Sequence, residues 1–146
     1  VALAQLDSPK VVQVNMEAIS LTNAAHATAI GKSILAWLPE NEIERIIEQK
    51  GLPQFTPSTL TEVDELTESL RLVRRFGFAI DREEFLPGVI CIGTALRDYS
   101  GTVLGSISCT LPASRADDDN IENVKQAVLD CVAELSGKLG RPKGDS

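Results

Sequence analysis

The chain has 146 residues, 43% of them hydrophobic and 24% charged, with 14 Lys and Arg against 21 Asp and Glu for a formal charge of −7. That length suits one compact domain, able to bury roughly two-thirds of its unfolded surface without disulfide or metal staples. The acidic balance argues against a phosphate-tracking nucleic-acid surface and the aliphatic content against disorder, while every apolar run falls far short of the roughly 18–20 residues that span a bilayer.

No basic segment leads an apolar one as in a secretory signal. The three cysteines, at 91, 109 and 131, are odd in number and never in Cys-x-x-Cys spacing, which points to a reducing, cytoplasmic setting and to no sequence-evident zinc module. The chain opens at Val1, inside an apolar run, so a longer parent protein is expected.

Val1–Leu6 and Val11–Asn15 are β-type runs joined by Asp7-Ser8-Pro9-Lys10, turn chemistry that predicts a hairpin. From Ala27 to Leu38 the apolar spacing turns helical, with Ile30, Ile34 and Leu38 on one stripe, Thr28 as a cap and Pro39 as the stop. A short helix over 40–49 places Ile43, Ile46 and Ile47 inward and ends at Gly51, and 52–60 reads as a loop. Thr61 and Asp64 resemble a capping box for a helix that runs to Phe76 and closes at Gly77.

Residues 78–111 form the expected sheet core. Phe78–Leu86 is extended, Pro87-Gly88 breaks it, and Val89–Arg97 and Thr102–Leu111 are strands about a turn at 98–101. Asp117-Asp118-Asp119 suits a helix N-terminus, and an apolar stripe from Ile121 to Leu139 predicts a long amphipathic helix ended by Gly140. These elements make one α+β domain over 1–140, with 141–146 as a tail.

The 98–101 turn sets Cys91 opposite Ser108 and Val89 opposite Thr110. Because side chains alternate, Val89, Cys91, Ser106, Ser108 and Thr110 share one face of the sheet. Ile90, Ile92, Val103, Ile107, Cys109 and Leu111 take the other, which is uniformly apolar and needs helices over it. The first face is small and hydroxyl-bearing. It is either ordinary strand surface or the floor of a pocket for a small polar ligand.

Asp81 sits in an extended run where Asp is disfavoured, and Glu83 and Glu84 read as a solvated stretch. His26 is the single histidine and suits a structural role beside the first helix. A metal site would draw on His26, Asp81 and Cys91, but nothing in their spacing enforces convergence. Nucleophilic catalysis by Cys91 would need His26 as its base, so no enzyme is expected. Gly31-Lys32-Ser33 is no phosphate loop, because Ala25 stands where the first glycine belongs and the triplet lies within a helix.

Several segments, in order, resemble the effector-binding domain of the IclR family of bacterial transcription regulators. They are His26–Ala36, Thr56-x-x-Thr59-Leu60, Arg74–Glu84, Gly88–Ile92, Asp98–Gly101 and Ser106–Ser108, with Pro112 and Arg115 after them. The resemblance implies a GAF-like fold, a curved antiparallel sheet of about six strands flanked by helices. It also implies a winged helix-turn-helix domain preceding a chain like this one.

Such regulators are homodimers or tetramers that meet operator DNA through that N-terminal domain and respond to a small-molecule effector, often an organic acid. No cofactor is implied. Carried over position by position, the effector site becomes Ala29, Ile30, Asp81, Val89, Cys91, Ser108 and Thr110. A zinc-binding sensor variant and a pure oligomerisation module are the competing readings.

Overall fold

A computed structural model of the protein describes residues 2–5, 10–13 and 24–138. The order is β1 (Ala2–Gln5), β2 (Lys10–Gln13), a 3-10 turn (Ala25–Ala27), α1 (Ala29–Leu35), α2 (Glu40–Lys50) and α3 (Val63–Phe76). There follow β3 (Ala79–Arg82), β4 (Val89–Arg97), β5 (Val103–Pro112), a second 3-10 turn (Ala113–Arg115) and α4 (Asp118–Lys138). Among the described residues the sheet has five strands, against the six or so expected, in the order β1-β2-β5-β4-β3 with every pair antiparallel. The β1–β2 pairing agrees with the predicted hairpin, whose turn lies largely outside the described residues, as do Leu139 and Gly140.

Local chemistry sets most boundaries as expected. Thr28 Oγ1 accepts from Gly31 N at 3.0 Å and opens α1. Helix α2 ends at Gly51 (φ 69°) and α3 at Gly77 (φ 86°), left-handed positions that favour glycine. The capping box does not form: Glu62 is the residue before α3, and no side chain caps it. Asp64 and Glu65 instead lie within the first turn, where their charge meets the positive end of the helix dipole. Helix α1 is shorter than its apolar stripe suggested, because the backbone tightens after Leu35 into bonds from Trp37 N to Ile34 O and from Leu38 N to Leu35 O.

Helices cover both sheet faces. On one, Ile34, Leu35, Ile46, Leu66, Leu70 and Val73 from α1, α2 and α3 join Ala79 of β3 in a common core. On the other, Val128 of α4 buries Ile107 and Cys109, with Val124, Val132 and Leu135 around them.

The β4–β5 register is displaced by two residues from the expected one: Cys91 opposes Thr110 and Gly93 opposes Ser108. Two single steps cause this. The turn runs through five residues, with Asp98 Oδ1 accepting from Ser100 N and Thr102 N, so that Arg97 opposes Val103. A bulge between Leu96 and Arg97 adds the second step. Two odd shifts restore parity, so the predicted division of faces survives except at Val103, which lies beyond the bulge and packs into the α1–α3 core instead.

Candidate functional site

The first strand-facing row of the site is set by pairing alone. Asp81 of β3 opposes Cys91 of β4, and Cys91 opposes Thr110 of β5, so the three side chains stand side by side on the α1 face. The thiol and hydroxyl are in contact, Cys91 Sγ lying 3.4 Å from Thr110 Oγ1. In the next row Ala79, Gly93 and Ser108 are neighbours. Gly93 is what lets the helix approach: a Cβ there would meet the carbonyl carbon and oxygen of Ala29 at 3.2 Å. Gly31 has the same role on the far side, where a Cβ would come within 2.2 Å of Ala25 O.

The opening turn of α1 is thereby held above the polar rows, and a cavity of about 230 Å³ remains between them. Its walls include all seven residues expected at the site. Ala29 and Ile30 come from α1, Asp81 from β3, Val89 and Cys91 from β4, and Ser108 and Thr110 from β5. Among the described residues Thr28, Phe85 and Leu86 also line it, the last two from the loop after β3. Ser106, expected on the same face, lies deeper. Its hydroxyl bonds Ser33 Oγ at 2.9 Å and Thr94 O at 3.1 Å, tying α1 to the sheet rather than facing the cavity.

Asp81 is 3% exposed, and burial raises its carboxyl well above the ordinary carboxylate range, to about 6. The Glu84 amide, which donates to Asp81 Oδ1 at 2.7 Å, and the Lys32 charge oppose that rise, while the Glu84 charge adds to it. The Cys91 thiol is also pushed up, chiefly by burial, so it stays protonated at neutral pH.

A buried ion pair supports Asp81 from behind. Lys32 is buried and donates to Ile80 O at 2.6 Å and to Glu84 Oε1 at 2.7 Å, and Glu84 Oε2 accepts from Arg82 N at 3.0 Å. Glu84 is therefore no part of a solvated stretch, because it closes a buried ion pair that ties α1 to the loop after β3. Glu83 turns the chain there at φ 58°, and its carbonyl and that of Glu84 accept from the hydroxyls of Thr56 and Thr59. One sequence signal for this network existed: Lys32 is the lone charge in α1, a helix without a polar face.

His26 takes a structural place. Its Nε2 lies 2.8 Å from Pro53 O, and its ring packs near Phe55, which in turn meets Phe85 edge-on. Among the described residues no three His, Cys, Asp or Glu side chains gather to hold a metal, so His26, Asp81 and Cys91 do not form the site that a zinc-dependent variant needs. No helix among the described residues is long and apolar enough to cross a membrane.

An α+β domain holding a ligand-sized cavity between a helix start and a polar sheet floor is the architecture of a small-molecule-binding module. Residues 1–137 match the family described as bacterial transcriptional regulator IclR C-terminal. The chain belongs to the IclR family of transcriptional regulators, as its C-terminal, effector-binding domain.

Among relatives, the HTH-type transcriptional repressor AllR of Escherichia coli K12 is 38% identical over 115 residues, 79% of this chain and 42% of AllR. This chain thus spans about two-fifths of the length of the curated relatives it matches. The repressor BlcR of Agobacterium tumefaciens superimposes with a TM-score of 0.73 at 34% identity, over 80% of this chain and 47% of that one. The inducer-binding domain of the PobR transcription factor from Acinetobacter, a double mutant in complex with 3-hydroxybenzoic acid, gives 0.72 at 26% identity, over 90% of this chain and 83% of that one.

Proposed function

We propose that this domain senses a small organic acid or related metabolite in the cavity beneath α1 and passes its occupancy to operator DNA through a preceding helix-turn-helix domain. The observation that carries the reading is the convergence of Ala29, Ile30, Asp81, Val89, Cys91, Ser108 and Thr110, from four separate elements, on one cavity. At about 230 Å³ it lies below the roughly 300 Å³ at which drug-sized sites begin, which favours a small metabolite. The Ser108 and Thr110 hydroxyls supply donors. Cys91, Val89 and Ile30 face the less polar part of the ligand. The antiparallel sheet between helical layers supports the GAF-like reading.

An effector alters DNA binding only as far as it favours one arrangement of subunits over another. Lodged between α1 and the sheet, it sets their separation. In a cytoplasmic homodimer or tetramer that movement resets the spacing of two reading heads against their half-sites. The test is titration calorimetry with a panel of small acids on the wild type and on Asp81→Ala and Ser108→Ala. At least one acid is expected to bind the wild type and to lose tenfold or more in affinity in Asp81→Ala. An acid that binds all three proteins equally well places the effector elsewhere.

A further inference from the structure

Resting on that reading of the cavity, we propose that the site takes its ligand as a monocarboxylate together with one proton, which Asp81 holds, and that it rejects dicarboxylates. The distribution of charge around the cavity leads there. Among the described residues none that lines the cavity is cationic; the ionisable groups there are Asp81 and the Cys91 thiol. The Lys32 ammonium on α1, whose charge acts on Asp81, is already committed to Ile80 O and to Glu84.

The groups around Asp81 are few. From its own strand and the loop after it come Arg82, which is exposed, and Glu84, which pairs with Lys32. From β4 comes the protonated Cys91, and from α1 Lys32, whose charge is held by Glu84. None of these supplies a countercharge inside the cavity.

A ligand carboxylate arriving beside an ionised, nearly buried Asp81 meets like-charge repulsion. Two carboxylates sharing such a site hold one proton between them. The shared proton forms a charge-assisted O–H···O⁻ hydrogen bond from Asp81 to the ligand, among the stronger kinds available. Burial has already brought Asp81 to about 6, so the proton is taken up at little cost near neutral pH. The Glu84 amide holds the other Asp81 oxygen in place. Among the described lining residues a second ligand carboxylate finds no cation and no second carboxyl to share a proton with, only a neutral thiol and hydroxyls.

The experiment is titration calorimetry on the full chain, at pH 7 in phosphate and in imidazole and at pH 5 in pyridine and in piperazine, each pair differing in ionisation enthalpy. Pyruvate and 3-hydroxybenzoate serve as monocarboxylate probes, and oxaloacetate and 5-hydroxyisophthalate as matched dicarboxylates. The expected result is uptake of about 0.9 proton per monocarboxylate bound at pH 7 and about 0.1 at pH 5. Affinity should fall about 50-fold between pH 6 and pH 8, with dicarboxylates at least tenfold weaker throughout.

Asp81→Asn, which keeps a hydrogen-bond donor, should bind the same monocarboxylate with no proton exchange and no pH dependence over that range. A merely structural Asp81 would instead lower affinity equally at every pH. Monocarboxylate binding without proton exchange in the wild type, or equal binding of dicarboxylates, overturns this inference and leaves the functional reading standing. Silence of every acid overturns both.

Discussion

The two faces of the central sheet solve the burial problem in opposite ways. Under α4, Ile107 and Cys109 pack on Val128 with aliphatic neighbours, and stability there comes from apolar area removed from water. Under α1 the same strands present Cys91, Gly93, Ser106, Ser108 and Thr110. The helix above them brings a buried lysine, and the loop beside it a buried glutamate.

That second face holds together because its polar atoms are satisfied: no buried side-chain nitrogen or oxygen among the described residues lacks a partner. An apolar face tolerates changes that conserve volume. A satisfied polar face tolerates very few, and in return it keeps hydrogen-bonding groups at the edge of a cavity.

The comparison breaks most visibly at Lys32. Lys32→Ala leaves the Glu84 carboxylate buried without its cation, and thermal or urea unfolding should show a loss of about 3–5 kcal/mol. Adding Glu84→Gln should recover much of it, whereas breaking an exposed pair such as Arg71–Glu68 should leave stability nearly unchanged.

On the α4 face, Ile107→Ala should cost about 3 kcal/mol by cavity formation while leaving the Kd for a bound acid unchanged. A change in that Kd would mean the faces are not independent.

Asp81 adds a pH signature. Its folded pKa of about 6 lies above the ordinary carboxylate value, so the folded state binds more protons than the unfolded one between about pH 4 and pH 6. Stability from this group is therefore full below about pH 4 and is lost as pH rises through 6, by up to roughly 3 kcal/mol. Measured as the difference in unfolding free energy between wild type and Asp81→Asn, the loss should appear in the wild type alone.

Gly93→Ala should cost about 1–3 kcal/mol in stability from overpacking. Its Cβ lifts the start of α1 off the floor, so binding should weaken more than stability does.

Much of the polar floor was legible from alternation, because parity survives any even displacement. The register itself was not, since the five-residue turn at Asp98–Thr102 and the bulge at Leu96 each move the ladder by one, and neither leaves a composition signal. The positions carried over by family resemblance land on one cavity. What lay beyond sequence was the support behind them. Lys32 and Glu84 are 52 residues apart, and a lysine beside Gly31 or a glutamate after Asp81 reads as surface charge until the fold brings them within 2.7 Å. The Thr56 and Thr59 hydroxyls likewise gain meaning only once the carbonyls of Glu83 and Glu84 are seen to be their acceptors.

The most direct test follows backbone amide resonances while an acid that binds is titrated into the ¹⁵N-labelled domain. The account predicts shifts centred on Ala29, Ile30, Asp81, Cys91, Ser108 and Thr110, with Val124 to Val132 of α4 nearly still. Shifts confined to the α4 side, or to the surface around Trp37 and Arg74 while the α1 cavity stays silent, would contradict it.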